Sequence, residues 1–492
     1  VISRRSFLAL AAGGTAAASV AALRHGCHGW APDPRRSINA AATSPVRSQA
    51  GLLELDLVAQ ETSISIPGTS GRALTYNGLL PGPQLELQPG DAVRIQLHNR
   101  LTQPTNLHYH GLHIPPSGAA DNVFLRVAPG QRQSCSFSLP DNHPAGLFYY
   151  HPHHHGTVAD QVFGGLGGAL LVRGDLDRIP EVQAAQEEVL VLKDLPAANQ
   201  RSGSGVMLGR EGSILSVNGQ VKPELQVAAG GLLRLRLLNA SNARFWRLAL
   251  EGHTMHLIAT DGGALEQPLP LQELLLVPGE RADVLVQVAP EGGRFRLNNL
   301  PYRRLGRPMM GGMGMGMGMG MGMGMGMGRA VSGQEQADVI ATVSTNGVVA
   351  PQPLPQQLLA VEELPSPLRT RRFVMNHGMA PGMGMAFLIN GQSYNHGRID
   401  TRVQLGDTED WELLNTGVMD HPFHLHVNPM QVISRNGRPE PYRAWRDVVL
   451  VRPGETVRVR TRFSDFAGKS VYHCHILDHE ELGMMGNILI EA

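Results

Sequence analysis

Cysteine is nearly missing from this 492-residue chain: Cys27, Cys135 and Cys474 are all it has, so no disulfide framework holds the fold together. Net charge is missing too, with 42 Lys+Arg against 42 Asp+Glu. That balance gives neither the basic footprint of a nucleic-acid binder nor an attraction to anionic membranes. Convincing amphipathic helices are scarce. The Ala/Gly-rich stretch from Phe7 to Leu23 is short and weakly apolar beside the roughly 20 strongly apolar residues that a membrane helix needs, so no membrane span is expected in the mature protein. What the chain does have is length for about three domains, at roughly 100–200 residues each, and 21 histidines.

Ser3-Arg4-Arg5-Ser6-Phe7-Leu8 opens the chain and resembles a twin-arginine export signal, with cleavage expected near Ala40-Ala41-Ala42 and Cys27 removed with the leader. The protein is accordingly expected to be periplasmic or secreted by that route, and monomeric.

One pattern then occurs three times. Asn77-Gly78 leads to Gly90-Asp91-Ala92-Val93-Arg94-Ile95-Gln96-Leu97-His98-Asn99, Asn218-Gly219 to Gly230 and the run Leu232–Asn239, and Asn390-Gly391 to Gly406 and the run Thr408–Asn415. A Pro-Gly-Gln/Glu follows each, at 129, 278 and 453. Asn-Gly and Pro-Gly are turn signals, and the segments between alternate apolar with polar residues as half-buried strands do. The repeat predicts an all-β chain of three Greek-key sandwiches at 49–174, 175–302 and 335–492, after a leader at 1–48. Between the second and third, at 303–334, lies a linker in which Met309 to Gly328 is only Met and Gly, and a mobile loop is expected there.

Four His-x-His pairs carry the chemistry: His108/His110, His151/His153, His424/His426 and His473/His475. Residues i and i+2 of a strand project from one face, so each pair aims two imidazoles at one point. Two pairs come from the first repeat, two from the third and none from the second. A single site between the outer domains would collect eight imidazoles, too many for one zinc but suited to several copper ions. Cys474 stands between His473 and His475 and points the other way. With His421, His479 and Met484 it makes two imidazoles, a thiolate and a weak axial thioether, the donor set of a blue-copper electron-transfer site.

The motifs HYHG, HPHHHG, HPFHLH and HCHILDHEELGM resemble the four copper motifs of laccase-type multicopper oxidases, over nearly the whole mature chain. The resemblance implies three cupredoxin domains and four copper ions. It implies a type 1 ion on His421, Cys474, His479 and Met484, a type 2 ion on His108 and His424, and a type 3 pair on His110, His151, His153, His426, His473 and His475. It also implies two acids that deliver protons to dioxygen, matched here by Asp121 and Glu480; the plainer alternative is that both are solvated loop carboxylates.

The implied activity takes single electrons from a donor and reduces O2 to water. Thioether sulfur prefers Cu(I). Ten of the 20 methionines fall between Met309 and Met327, and Met375, Met379, Met383 and Met385 form a second group. Met379, Met383, Met385 and Met419 are therefore candidates to meet substrate copper, although Gly417 stands where related copper-efflux oxidases can place an Asp. Cu(I), phenols and aromatic amines are the expected donors. A copper-delivery protein or a copper nitrite reductase-like enzyme is the alternative reading, but neither needs a thiolate between two cluster histidines.

Overall fold

The computed structural model describes residues 44–67, 69–197, 205–304, 336–380 and 384–492. The export leader with Cys27, the Met/Gly run and Met383 lie outside them. Among the described residues there are six β-sheets and only short helices, and no helix is long and apolar enough to cross a membrane.

Each copy of the repeat builds the same three-strand unit. The strand Leu52–Ile66 runs parallel to Ala92–Asn99, which pairs antiparallel with Arg132–Ser138. In the second copy Gln186–Leu195, Leu232–Asn239 and Arg281–Gln287 pair in the same senses. In the third, Arg369–Ala380, Thr408–Asn415 and Thr456–Arg462 do so. Alternation explains the first copy: Val93, Ile95 and Leu97 face a buried core while Arg94 and Gln96 are exposed. The second copy is buried on both faces. Leu233, Leu235 and Leu237 fill the core, and on the opposite face Arg234 makes a 2.6 Å ion pair with Asp283, which also lies 3.4 Å from Arg236.

Turn asparagines close each unit. Asn77, Asn218 and Asn390 have φ of 55°, 52° and 53°, left-handed values that asparagine tolerates, and each precedes a positive-φ glycine. Their side chains do more than turn. Oδ1 accepts the backbone N–H of Val58 at 2.7 Å, of Val191 at 2.8 Å and of Val374 at 2.7 Å, while Nδ2 donates to a carbonyl two residues earlier on the same strand.

Two strands cross the divisions drawn from the repeat. Val46–Arg47, placed in the leader, pairs with Leu85–Leu87 of the first sandwich. Asp338–Val348, placed in the third domain, pairs instead with Glu224–Ala229 and Arg294–Leu300 of the second. Turn signals mark repeats; they do not reveal a flanking strand that joins a neighbouring sheet, at its edge as Val46–Arg47 does or within it as Asp338–Val348 does.

Candidate metal centre

The outer sandwiches supply the histidines from strand ends. His108–His110 lies antiparallel to Gly146–His151, with His108 opposite His151. His421–Leu425 lies antiparallel to Gly468–Cys474, with His424 opposite His473 and Phe423 opposite Cys474. His153, His426 and His475 fall just beyond their strands. All eight side chains are buried. The imidazoles pack across the domain boundary: His110 stacks on His424 with centroids 3.9 Å apart, and His108 on His426 at 4.0 Å.

The arrangement asks for cations. His473 Nε2 lies 3.0 Å from His153 Nε2 and 3.1 Å from His426 Nε2, so three ring nitrogens crowd one point. In four of the other rings one nitrogen is tied and the other is bare, and in His475 both are bare. His151 Nδ1 donates to the Pro152 carbonyl at 2.9 Å, and His424 Nδ1 to the Asp447 carbonyl at 2.8 Å. His108 Nδ1 meets Asp121 Oδ1 at 2.8 Å, and His110 Nε2 meets Asp447 Oδ1 at 2.8 Å. The remaining nitrogens, His151 Nε2, His424 Nε2, His108 Nε2 and His110 Nδ1, are buried without any hydrogen-bond partner. A bare buried acceptor costs about 1–3 kcal/mol, and a metal ion removes that cost. Burial also holds all eight imidazoles below the ordinary histidine range, His153 and His473 down to about 4, so they remain neutral and able to ligate. The residues fit copper.

On the other face of the last strand, Cys474 Sγ lies 3.6 Å from His421 Nδ1 and 3.8 Å from His479 Nδ1, which are 3.4 Å apart. This triangle is fully buried and suits one trigonal ion. Burial raises the Cys474 thiol far above its usual value and lowers His421 to about 3. Met484 is buried in the same core, fixed by the Cys474 N–H donating to its carbonyl at 3.0 Å. Phe387 stacks on His479 at 3.9 Å and 19°.

Both candidate acids are buried against the cluster rather than solvated. Asp121 Oδ1 accepts the Tyr109 N–H at 2.9 Å, and its Oδ2 lies 3.7 Å from His426 Nδ1. Glu480 lies 3.1 Å from His473 Nδ1 and 3.8 Å from His153 Nδ1, with neither oxygen hydrogen-bonded. Burial pushes each carboxyl up to about 7. The methionine candidates divide: Met419 is buried in the core that also holds Cys474, whereas Met379 is 75% and Met385 43% exposed.

Three further residues shape this site, none of them assigned a role from the sequence. Asp447 orients two cluster histidines and is itself clamped by Arg281, whose Nη1 and Nη2 each donate to it at 2.6 Å. Gly279 (φ 81°) lies so close that a Cβ would stand 2.9 Å from His110 Cε1 and from His475 Cε1. Asp478, within the last motif, accepts from the Arg210 backbone N–H at 2.6 Å, Arg210 Nε at 2.8 Å and Asn242 Nδ2 at 2.7 Å. Gly279 stood inside a Pro-Gly-Glu turn signal and Asp478 inside the last motif, but neither pattern tells what the residue touches.

Profiles described as multicopper oxidase match residues 58–177, 183–308 and 364–492. A multicopper oxidase from Staphylococcus epidermidis is 29% identical over 85% of this chain and 83% of its own. The cell division protein FtsP of Xenorhabdus nematophila is 29% identical over 84% of each chain. The solved structure of a Campylobacter jejuni multicopper oxidase superposes with a TM-score of 0.77 at 32% identity, over 91% of this chain and 93% of that one. The chain belongs to the multicopper oxidase family, a copper-binding oxidoreductase built of three cupredoxin-like domains.

Proposed function

We propose that this protein couples one-electron oxidation of a reducing substrate to the four-electron reduction of O2 to water, with Cu(I), phenols and aromatic amines as donors. Four copper ions per chain fit the donors. His421, Cys474, His479 and Met484 would hold the type 1 ion, and His108 with His424 the type 2 ion. His153, His426 and His473 would hold one type 3 ion, and His110, His151 and His475 the other. Bound copper supplies the one-electron redox steps; the chain supplies the path and the protons. The carrying observation is Cys474, which faces the triangle while its two sequence neighbours face the eight-histidine cluster, so a few covalent bonds join the two sites. Asp121 and Glu480, buried beside cluster imidazoles and raised toward neutrality, would hold protons where oxygen is reduced.

The curated relatives carry two kinds of name, and the complete buried donor set favours the oxidase over a purely structural role. For Cu(I) the support is the methionine pair Met379 and Met385, together with the description of the Campylobacter jejuni protein as a metallo-oxidase. Export by the twin-arginine route to the periplasm or medium is proposed from the Arg4-Arg5 signal. The test is Cys474→Ser. The purified variant should lose its blue absorption and stop consuming oxygen with any donor; oxygen uptake at the wild-type rate would end this reading.

A further inference from the structure

Two histidines of the HPHHHG motif are unspent. His151 and His153 serve the eight-histidine cluster, whereas His154 and His155 lie past it, just before the short helix Val158–Gly164. Both line a separate cavity of about 140 Å³. The same cavity is lined by His153 of the cluster and, from the third domain, by Tyr394 and His396. Three imidazoles that neither copper site uses therefore share one space, two from the first domain and one from the third.

Their contacts form a chain. His155 meets Tyr394 edge-on with centroids 4.7 Å apart, and Tyr394 Oη lies 3.5 Å from His396 Nδ1. His155 Nδ1 is shielded from solvent without a hydrogen-bond partner, and a carboxylate oxygen of Glu481 stands 3.8 Å from it. His154 spends Nδ1 on Thr157 Oγ1 at 3.5 Å, which leaves Nε2. Burial comes first in holding His154 and His155 below the ordinary histidine range, and repulsion from His396 adds to it in both, so the three rings are near neighbours.

The loop 390–400 that carries His396 is pinned by its backbone. Asn487 Nδ2 donates to the Asn395 carbonyl at 2.9 Å, and Lys469 Nζ to the His396 carbonyl at 2.8 Å. Unlike the nitrogens of the triangle, those of the three rings are not gathered on one point. His154 and His155 are only half-buried and His396 is exposed, so rotation about their side-chain bonds can gather them. Lys469 and Arg126 are opposing charges nearby, so ligation by neutral rings rather than net charge has to hold an ion here.

We propose that His154, His155 and His396 form a binding site for one divalent cation of borderline softness, Cu(II) or Zn(II), beyond the copper held by the cluster and the triangle. Imidazole suits both ions, and three rings leave a fourth position for water or the Tyr394 phenol. Because the ligands come from two domains, the bound ion clasps the loop 390–400 to the turn beside His153 and stabilises the folded chain by mass action.

The test dialyses copper-loaded enzyme against Zn(II), which has no redox chemistry to disturb the copper. Metal analysis should find one Zn(II) per chain in addition to the copper. His155→Gln and His396→Gln keep a polar side chain but lose the ring nitrogens. Each should weaken Zn(II) binding about tenfold or more, the range seen when even a ligand's supporting partner is lost, with copper content and blue absorption unchanged. His253→Gln, which removes an imidazole of the middle domain, should bind Zn(II) as wild type does. Saturating Zn(II) should also raise the melting temperature of the wild type and leave that of His396→Gln in place. His396 is exposed, so its variant probes the site without threatening the fold. No Zn(II) retained beyond the copper, or equal affinity in wild type and both variants, would overturn the site.

Discussion

A single buried carboxyl can decide the pace of oxygen reduction. Asp121 spends Oδ1 on the Tyr109 N–H and His108, leaving Oδ2 buried, unpartnered and close to His426. Burial raises it toward neutrality, so it can hold a proton beside the cluster. Asparagine keeps the acceptor oxygen for Tyr109 but cannot release a proton. Asp121→Asn should therefore lower oxygen-linked turnover by about 10²-fold, the range of general acid–base effects, while leaving the blue absorption unchanged. Steady-state oxygen uptake beside an absorption spectrum checks it, and wild-type turnover would remove the proton role. The copper-type histidines were legible because they come as pairs two residues apart with a cysteine between the last two. Asp447 was not, because it is a lone residue whose meaning arises only when packing brings it against His110 and His424.

At the scale of elements, the repeat was readable as turns and alternation, but the clamp inside each turn was hidden. Asn-Gly signals a left-handed turn from local preference alone. That the Asn218 side chain also bridges Val189 and Val191 depends on which strand lies alongside. Asn218 belongs to the domain that contributes no histidine to the cluster, so its loss separates stability from chemistry. Asn218→Ala forfeits two hydrogen bonds and strains a positive φ, for about 2 kcal/mol of stability. Asn218→Gly keeps the turn and loses only the hydrogen bonds, so it should fall between alanine and wild type. Thermal unfolding ranks the three proteins, and copper content should not change across the series. Equal melting temperatures would mean that the clamp contributes nothing. The strand Asp338–Val348 teaches the same lesson, since its place inside a sheet of the second sandwich, between Glu224–Ala229 and Arg294–Leu300, is set by pairing that no local signal encodes.

For the whole molecule, the middle domain holds the outer two in register around a site to which it gives no His-x-His pair. Gly279 lets its turn lie against His110 and His475. Arg281, also from the middle domain, clamps Asp447 of the third, and Asp447 in turn touches His110 of the first and His424 of the third. One buried guanidinium thus ties three domains to one cluster. Methionine at 281 fills similar space but leaves Asp447 buried without its counter-charge, which costs about 3–5 kcal/mol when a buried pair is broken from one side. Asp447 would then take up a proton or turn away, and either loosens the hold of its carboxylate on the His110 ring. Arg281→Met should therefore lose copper from the cluster before it loses the type 1 ion, whose triangle has no contact with this clamp. Copper analysis falling below the wild-type content while the blue band persists is the expected result. Parallel loss of both signals would show the middle domain to be a general stabiliser with no particular hold on the oxygen-reducing site.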